Sequence, residues 1–152
     1  MKIKQISIPT KVARPGMLLG EVMKECVEKD VPGIPYADET GKISGRFSVR
    51  HMFLLCCVPE DIIKGAHLLG DDIEHLDFPN IRAEELMAKR VEDFIFPDTI
   101  QLSPNFQAIK ALAIMEQYNT EYLFVMEGDD YQGVVTRMSI ARAVVARACC
   151  EE

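Results

Sequence analysis

The sequence predicts an α+β fold in which two β-α-β-β-α units pack as a pseudo-twofold pair. Three observations predict it. The chain repeats itself weakly at an interval of 88–89 residues, and each copy alternates in the same order between helical and strand periodicity. At 152 residues the whole chain can build a shared core, whereas either copy alone buries too little apolar surface to be comfortably stable.

The repeat appears when residues 14–48 are laid under 103–136. Pro15 falls on Pro104, Cys26 on Met115 and Ile34 on Leu123, an offset of 89. One residue dropped in the turn makes the offset 88, which sets Gly45 on Gly133 and Ser48 on Thr136. Each copy opens on a short extended segment (Lys11–Arg14; Ile100–Ser103), and a proline or glycine then leads into a helix. In the first helix Leu18, Leu19, Val22, Met23, Cys26 and Val27 form one apolar stripe. Ile109, Leu112, Ala113 and Met115 are expected to do the same work in the second, with Lys110 and Glu116 outward.

A strand follows ("GIPYAD"; "YLFVME"), then a turn rich in Asp and Gly ("DETGK"; "GDDYQ"). A second strand ("ISGRFS"; "GVVT") pairs with the first as a hairpin. A last helix ("VRHMFLLCC"; "RMSIARAVVARACC") closes each copy. The expected organisation is a first repeat over 1–58, a helical linker over 59–90 and a second repeat over 91–152. In the linker, Pro59, Glu60 and Asp61 suit a helix start, Gly70 an end, and Ala83–Lys89 a second short helix. Its His67, Asp71, Asp72, Glu74 and His75 match no metal-binding spacing, so no metal site is expected.

Composition narrows the function. Hydrophobic residues at 48% and charged residues at 27% describe a globular chain, not a disordered one. A net charge of −7 disfavours nonspecific binding to nucleic acid or an anionic membrane, and speaks against a DNA-associated regulator. Any anionic ligand must be met by local Arg, Lys or backbone N–H groups. No segment reads as a signal peptide or a membrane span, which makes the cytoplasm the expected location. Cys26 stands alone, and Cys56–Cys57 and Cys149–Cys150 are vicinal pairs without a C-x-x-C. Reduced cysteines on helix faces are expected, and "CCEE" does not fit a prenylation signal. No nucleophile–base pair, P-loop or GxGxxG is visible, so catalysis is not expected.

The chemistry concentrates at the two strand-to-helix junctions, "GRFSVRH" (45–51) and "GVVTRMS" (133–139). A helix N-terminus presents orphan N–H groups and partial positive charge, which suit an anion. Ser48 and Thr136 add hydroxyls there, and Arg46, Arg50 and Arg137 add cations. Ser and Thr are equally the preferred N-caps, so both hydroxyls can instead be helix caps alone.

The unit resembles the cystathionine β-synthase (CBS) domain in its tandem, or Bateman, arrangement. The resemblance rests on residues 91–115, "YLFV" (122–125), "GVVTRMS", and the matching "GIPYAD" and "GRFSVRH". It implies a stand-alone regulatory module that binds AMP, ADP, ATP or S-adenosylmethionine in clefts between the repeats. It further implies a homodimer and an unidentified partner acted on in trans. The base would pair with backbone near Val12 or Ile100. The family's acid, three residues after the hydroxyl, grips the ribose; here those positions hold His51 and Ser139. The alternative is a ligand-free dimerisation or interaction module in which Ser48 and Thr136 only cap helices.

Overall fold

A computed structural model describes residues 1–58, 60–68, 70 and 82–150. The first unit runs through α1 (Leu19–Lys29), β1 (Gly33–Ala37), β2 (Ile43–Ser48) and α2 (Val49–Cys56). After α3 (Glu60–Lys64) and α4 (Ala83–Met87), the chain forms β3 (Ile95–Phe96) and β4 (Gln101–Leu102). The second unit continues with α5 (Ala108–Gln117), β5 (Tyr122–Glu127), β6 (Asp130–Thr136) and α6 (Arg137–Cys149). The result is two three-stranded sheets, ordered β1-β2-β3 and β4-β5-β6, with both predicted hairpins antiparallel.

The repeat is more regular in space than in sequence. Helix α1 buries Leu19, Val22 and Cys26, and α5 buries Ala108, Ala111 and Met115, each pair offset by 89. Each helix is followed by a residue of positive φ, Asp30 (54°) and Asn119 (49°), a conformation that Asp and Asn tolerate better than most. Both buried stripes are narrower than expected. Leu18 precedes α1 and is 43% exposed, and Val27 is 76% exposed. In α5, Ile109 is 74% exposed and Ala113 lies outside as well. The counterpart of Ile109 is Gly20, which α4 covers so closely that an added Cβ would stand 3.0 Å from Met87. A helical period fixes a stripe, not the neighbour that covers it.

Two further differences follow from pairing. The extended segment 11–14 shrinks to one parallel bridge, Ala13 to Tyr36, because Pro35 can accept a bond from Ala13 N–H but cannot donate one. Strand β6 starts at Asp130, three residues before the expected Gly133, because a register shift at Val125/Met126 carries the hairpin to a tight turn at Gly128.

The packing units also cross the boundaries 1–58 and 91–152. Ile3 and Ile6 are buried in the core of the second unit, whereas Val91 and Phe94 are buried in that of the first. Ile8 N–H donates to the Val134 carbonyl (2.8 Å) and Val134 N–H to the Ile8 carbonyl (2.9 Å), while β3 pairs with β2. Residues 3, 6 and 8 thus correspond to 91, 94 and 96, and each repeat's leading segment docks on the other repeat. This exchange explains the paired glycines. An added Cβ at Gly133 would meet the Ile8 backbone at 2.8 Å, and one at Gly45 would collide with the Phe96 carbonyl.

Strand β5 joins the two cores. Tyr122 and Phe124 face the cluster shared with the first repeat, while Leu123 and Val125 face the second cluster, as the two-residue period of a strand requires. Among the described residues, no helix is long and apolar enough to cross a membrane, and no group of three or more candidate ligands could hold a metal. His67 is exposed; Asp71, Asp72, Glu74 and His75, like Pro59, lie outside the described residues.

Candidate functional site

A cleft of about 1010 Å³ opens between the repeats, where Cys26 and Val27 in the last turns of α1 and residues 30–32 after it face residues 118–122 after α5. That volume is at the upper end for small-molecule sites. Strand β2 delivers Arg46 and Ser48 to its wall, the first turn of α2 delivers Arg50 and His51, and the chain entering β4 delivers Asp98 and Ile100.

Ser48 is buried and precedes α2, yet its hydroxyl makes no capping bond. The residue three positions on does not supply the reciprocal bond of a capping box either. The His51 ring stacks on Phe96, with centroids 3.6 Å apart and planes at 23°, and does not reach back to the backbone of Ser48. Burial, then Arg46 and Arg50, hold the His51 imidazole below its ordinary 6.5. At neutral pH it is therefore a neutral group within reach of two guanidinium cations.

Beneath Ser48 lies a residue the sequence reading did not single out. Tyr122, only 6% exposed, crosses from the second repeat with the Arg46 guanidinium carbon 5.6 Å from its ring centre. Neither the Tyr122 hydroxyl nor the Arg46 Nε–H has a hydrogen-bond partner, although both atoms are buried. Burial pushes the Tyr122 phenol up; Arg46 and Ser48 stand close enough to oppose that shift, but neither meets the hydroxyl with hydrogen-bond geometry. The signal was in the alignment: Tyr122 falls on Gly33, and an added Cβ at Gly33 would stand 2.7 Å from the Tyr122 hydroxyl. A large side chain occupies space its pseudo-symmetric counterpart leaves empty.

The second junction is closed on itself. Ser139 N–H donates to Thr136 Oγ1, Thr136 N–H donates to Ser139 Oγ, and the Ser139 hydroxyl donates to the Thr136 carbonyl, each at 2.9 Å. This is a capping box with serine in the place usually held by Glu or Gln. Arg137 is also engaged, donating to the Thr120 carbonyl (3.2 Å) and pairing with Glu116 (2.9 Å). On the same helix Arg142 pairs with Asp30 across the repeats. Five candidate residues, Arg46, Ser48, Arg50, His51 and Ile100, therefore meet in one cleft. Thr136, Arg137, Ser139 and Val12 are not among its lining residues.

Comparison with known proteins agrees with this architecture. The family model of the CBS domain matches residues 84–146. The chain carries a CBS domain and folds as a CBS domain pair. Among solved structures, CBSX2 in complex with AMP is 16% identical and superposes with a TM-score of 0.64 over 97% of this chain and 98% of that one. The CBS domain pair of protein MJ0100, in complex with 5′-methylthioadenosine and S-adenosyl-L-methionine, is 18% identical, with a TM-score of 0.62 over 97% and 98%. A CBS domain-containing protein of unknown function from Bacillus anthracis is 19% identical, with a TM-score of 0.60 over 96% and 94%. At such identities the likeness establishes the fold. No curated protein matches the sequence.

The unusual residue of this CBS pair, His51, has a measurable consequence. In the unfolded chain it takes up a proton near pH 6.5, and in the folded chain only at lower pH. Its contribution to stability is thus fully present above about pH 6.5 and is lost as the pH falls through that value. The melting temperature should hold above about pH 6.5 and decline as the pH falls from there toward the lower folded-state value. His51→Gln should flatten that decline, and an unchanged slope in the variant would exonerate His51.

Proposed function

We propose that this CBS domain pair is a regulatory module that binds an adenine nucleotide or a related adenosyl anion in the cleft at the first junction. The observation that carries the reading is the difference between the junctions. Thr136 spends its hydrogen bonds on its own helix, whereas Ser48 makes no capping bond and lines the cleft with Arg46, Arg50 and His51. The complexes of CBSX2 with AMP and of the MJ0100 pair with adenosyl ligands support the ligand class. The missing ribose acid fits a site that grips the anion more than the sugar. An anion beside His51 favours its protonated form, so binding takes up a proton and tightens as the pH falls.

The module is non-catalytic and cytoplasmic in this reading, requires no cofactor, and acts on a partner protein by changing the angle between repeats or protomers. A homodimer is supported by the exposed Ile109, Met138, Val144 and Val145 on α5 and α6. Those same side chains favour the second reading, an interaction module that binds no small molecule.

A thermal-shift titration with AMP, ADP, ATP and S-adenosylmethionine separates the two. A ligand that binds only the native state stabilises it by about 2.7 kcal/mol at a hundred times its Kd. The expected result is a rise with at least one ligand, at one molecule per chain. An unchanged melting temperature at millimolar ligand would leave only the interaction module standing.

A further inference from the structure

Resting on the reading of the first cleft as an anion site, we infer that Tyr122, together with Arg46 and Ser48, is the seat of the ligand's oxyanion, a phosphate or carboxylate. Three donors converge from two repeats: the Arg46 Nε–H and Ser48 hydroxyl from β2, and the Tyr122 hydroxyl from β5. Two of them are buried and unpaired, a state that proteins rarely leave unrelieved. The set is rich in donors and carries a positive guanidinium, so the group that completes it is a negatively charged acceptor.

The arrangement also explains why the family's acid can be absent. A ligand gripped by its anion needs no carboxylate three residues after Ser48, where a negative charge would oppose it. Arg46 is half-buried on the cleft wall, with its guanidinium carbon 5.6 Å from the centre of the Tyr122 ring. A small side-chain rotation that turns the Arg46 Nε–H and the Tyr122 hydroxyl toward the cleft presents both donors to one incoming oxyanion. Because Tyr122 belongs to the second repeat and Arg46 to the first, the anion ties the repeats together. The carboxylates that share the cleft, Asp98 and Glu121 beside the ion-paired Asp30, lie with the ligand's uncharged or cationic part.

Calorimetric titration of wild type, Tyr122→Phe and Arg46→Lys with AMP and with inorganic pyrophosphate tests this, alongside the melting temperature of each unliganded protein. Tyr122→Phe deletes an unpaired hydroxyl, so the unliganded protein should melt at the same temperature or higher, while affinity falls about 10- to 100-fold. Arg46→Lys keeps the charge but lacks Nε–H, and should weaken binding at least as much. A hydroxyl with a purely structural role would lower the melting temperature and leave affinity alone. Pyrophosphate binding that depends on both residues, without AMP binding, upholds the oxyanion seat and overturns the adenosyl reading. AMP binding equally tight in both variants does the reverse, and no binding of either probe to wild type overturns both.

Discussion

Replacing Ile3 by alanine is expected to destabilise the protein by about 2–5 kcal/mol, the usual range for truncating a fully buried isoleucine. The damage should fall on the second repeat although the residue belongs to the first. Ile3 is completely buried in the cluster that holds Leu102, Met115, Leu123 and Val135. Its backbone is held there too, with Ile3 N–H donating to the Phe106 carbonyl at 2.9 Å and Ala108 N–H donating to the Met1 carbonyl at 2.9 Å. Chemical denaturation reads the loss, and amide hydrogen exchange locates it. Protection should fall first in β4 and β6. Val91→Ala is the mirror experiment, since Val91 is equally buried in the first cluster, and there β2 should lose protection. A loss in β1 and β2 after Ile3→Ala would contradict the exchanged arrangement of the leading segments.

That exchange shows where sequence reading stopped. Helices, hairpins and junctions were legible because amphipathic periods and turn residues are local signals, and the pairs Cys26/Met115 and Gly45/Gly133 placed them in register. The leading segments "IKQISI" and "VEDFIF" carry matching apolar residues at an offset of 88, but each is too short to show a period. Their pairing spans the chain, so nothing local reports which repeat they cover. The paired glycines are legible as positions, while the backbone that crosses them is not. The junctions fail for a different reason. Ser48 and Thr136 are equivalent in type and place, and what separates them includes the third residue on: Ser139 folds back into a capping box, while His51 turns to Phe96. Tyr122 reads as part of an apolar strand, and the glycine opposite it marks its crossing into the other repeat.

Phe124→Ala is expected to be the most damaging single substitution, at about 3–5 kcal/mol, because it empties space in the core that both repeats share. The ring is almost wholly buried, set edge-on to Tyr131 at 6.1 Å and tilted against Tyr122 at 5.6 Å. Its neighbours in the cluster include Leu19, Ile34 and Phe47 of the first repeat. Its main chain also anchors the cleft, since Phe124 N–H donates to the Ile100 carbonyl at 3.0 Å. Losing the ring removes the support on which Tyr122 crosses between repeats, so ligand affinity should fall together with stability. Leu123→Ala provides the comparison one residue away, with a cost of about 2–5 kcal/mol in the other core. Its side chain faces the second cluster, away from the cleft, so affinity should survive wherever the variant remains folded. Denaturation midpoints and AMP titrations on the two variants read both effects. Because one strand faces both cores, each variant should still unfold in a single transition. A second transition after Phe124→Ala, with the cleft still binding AMP at wild-type strength, would show that the repeats stand without their shared core.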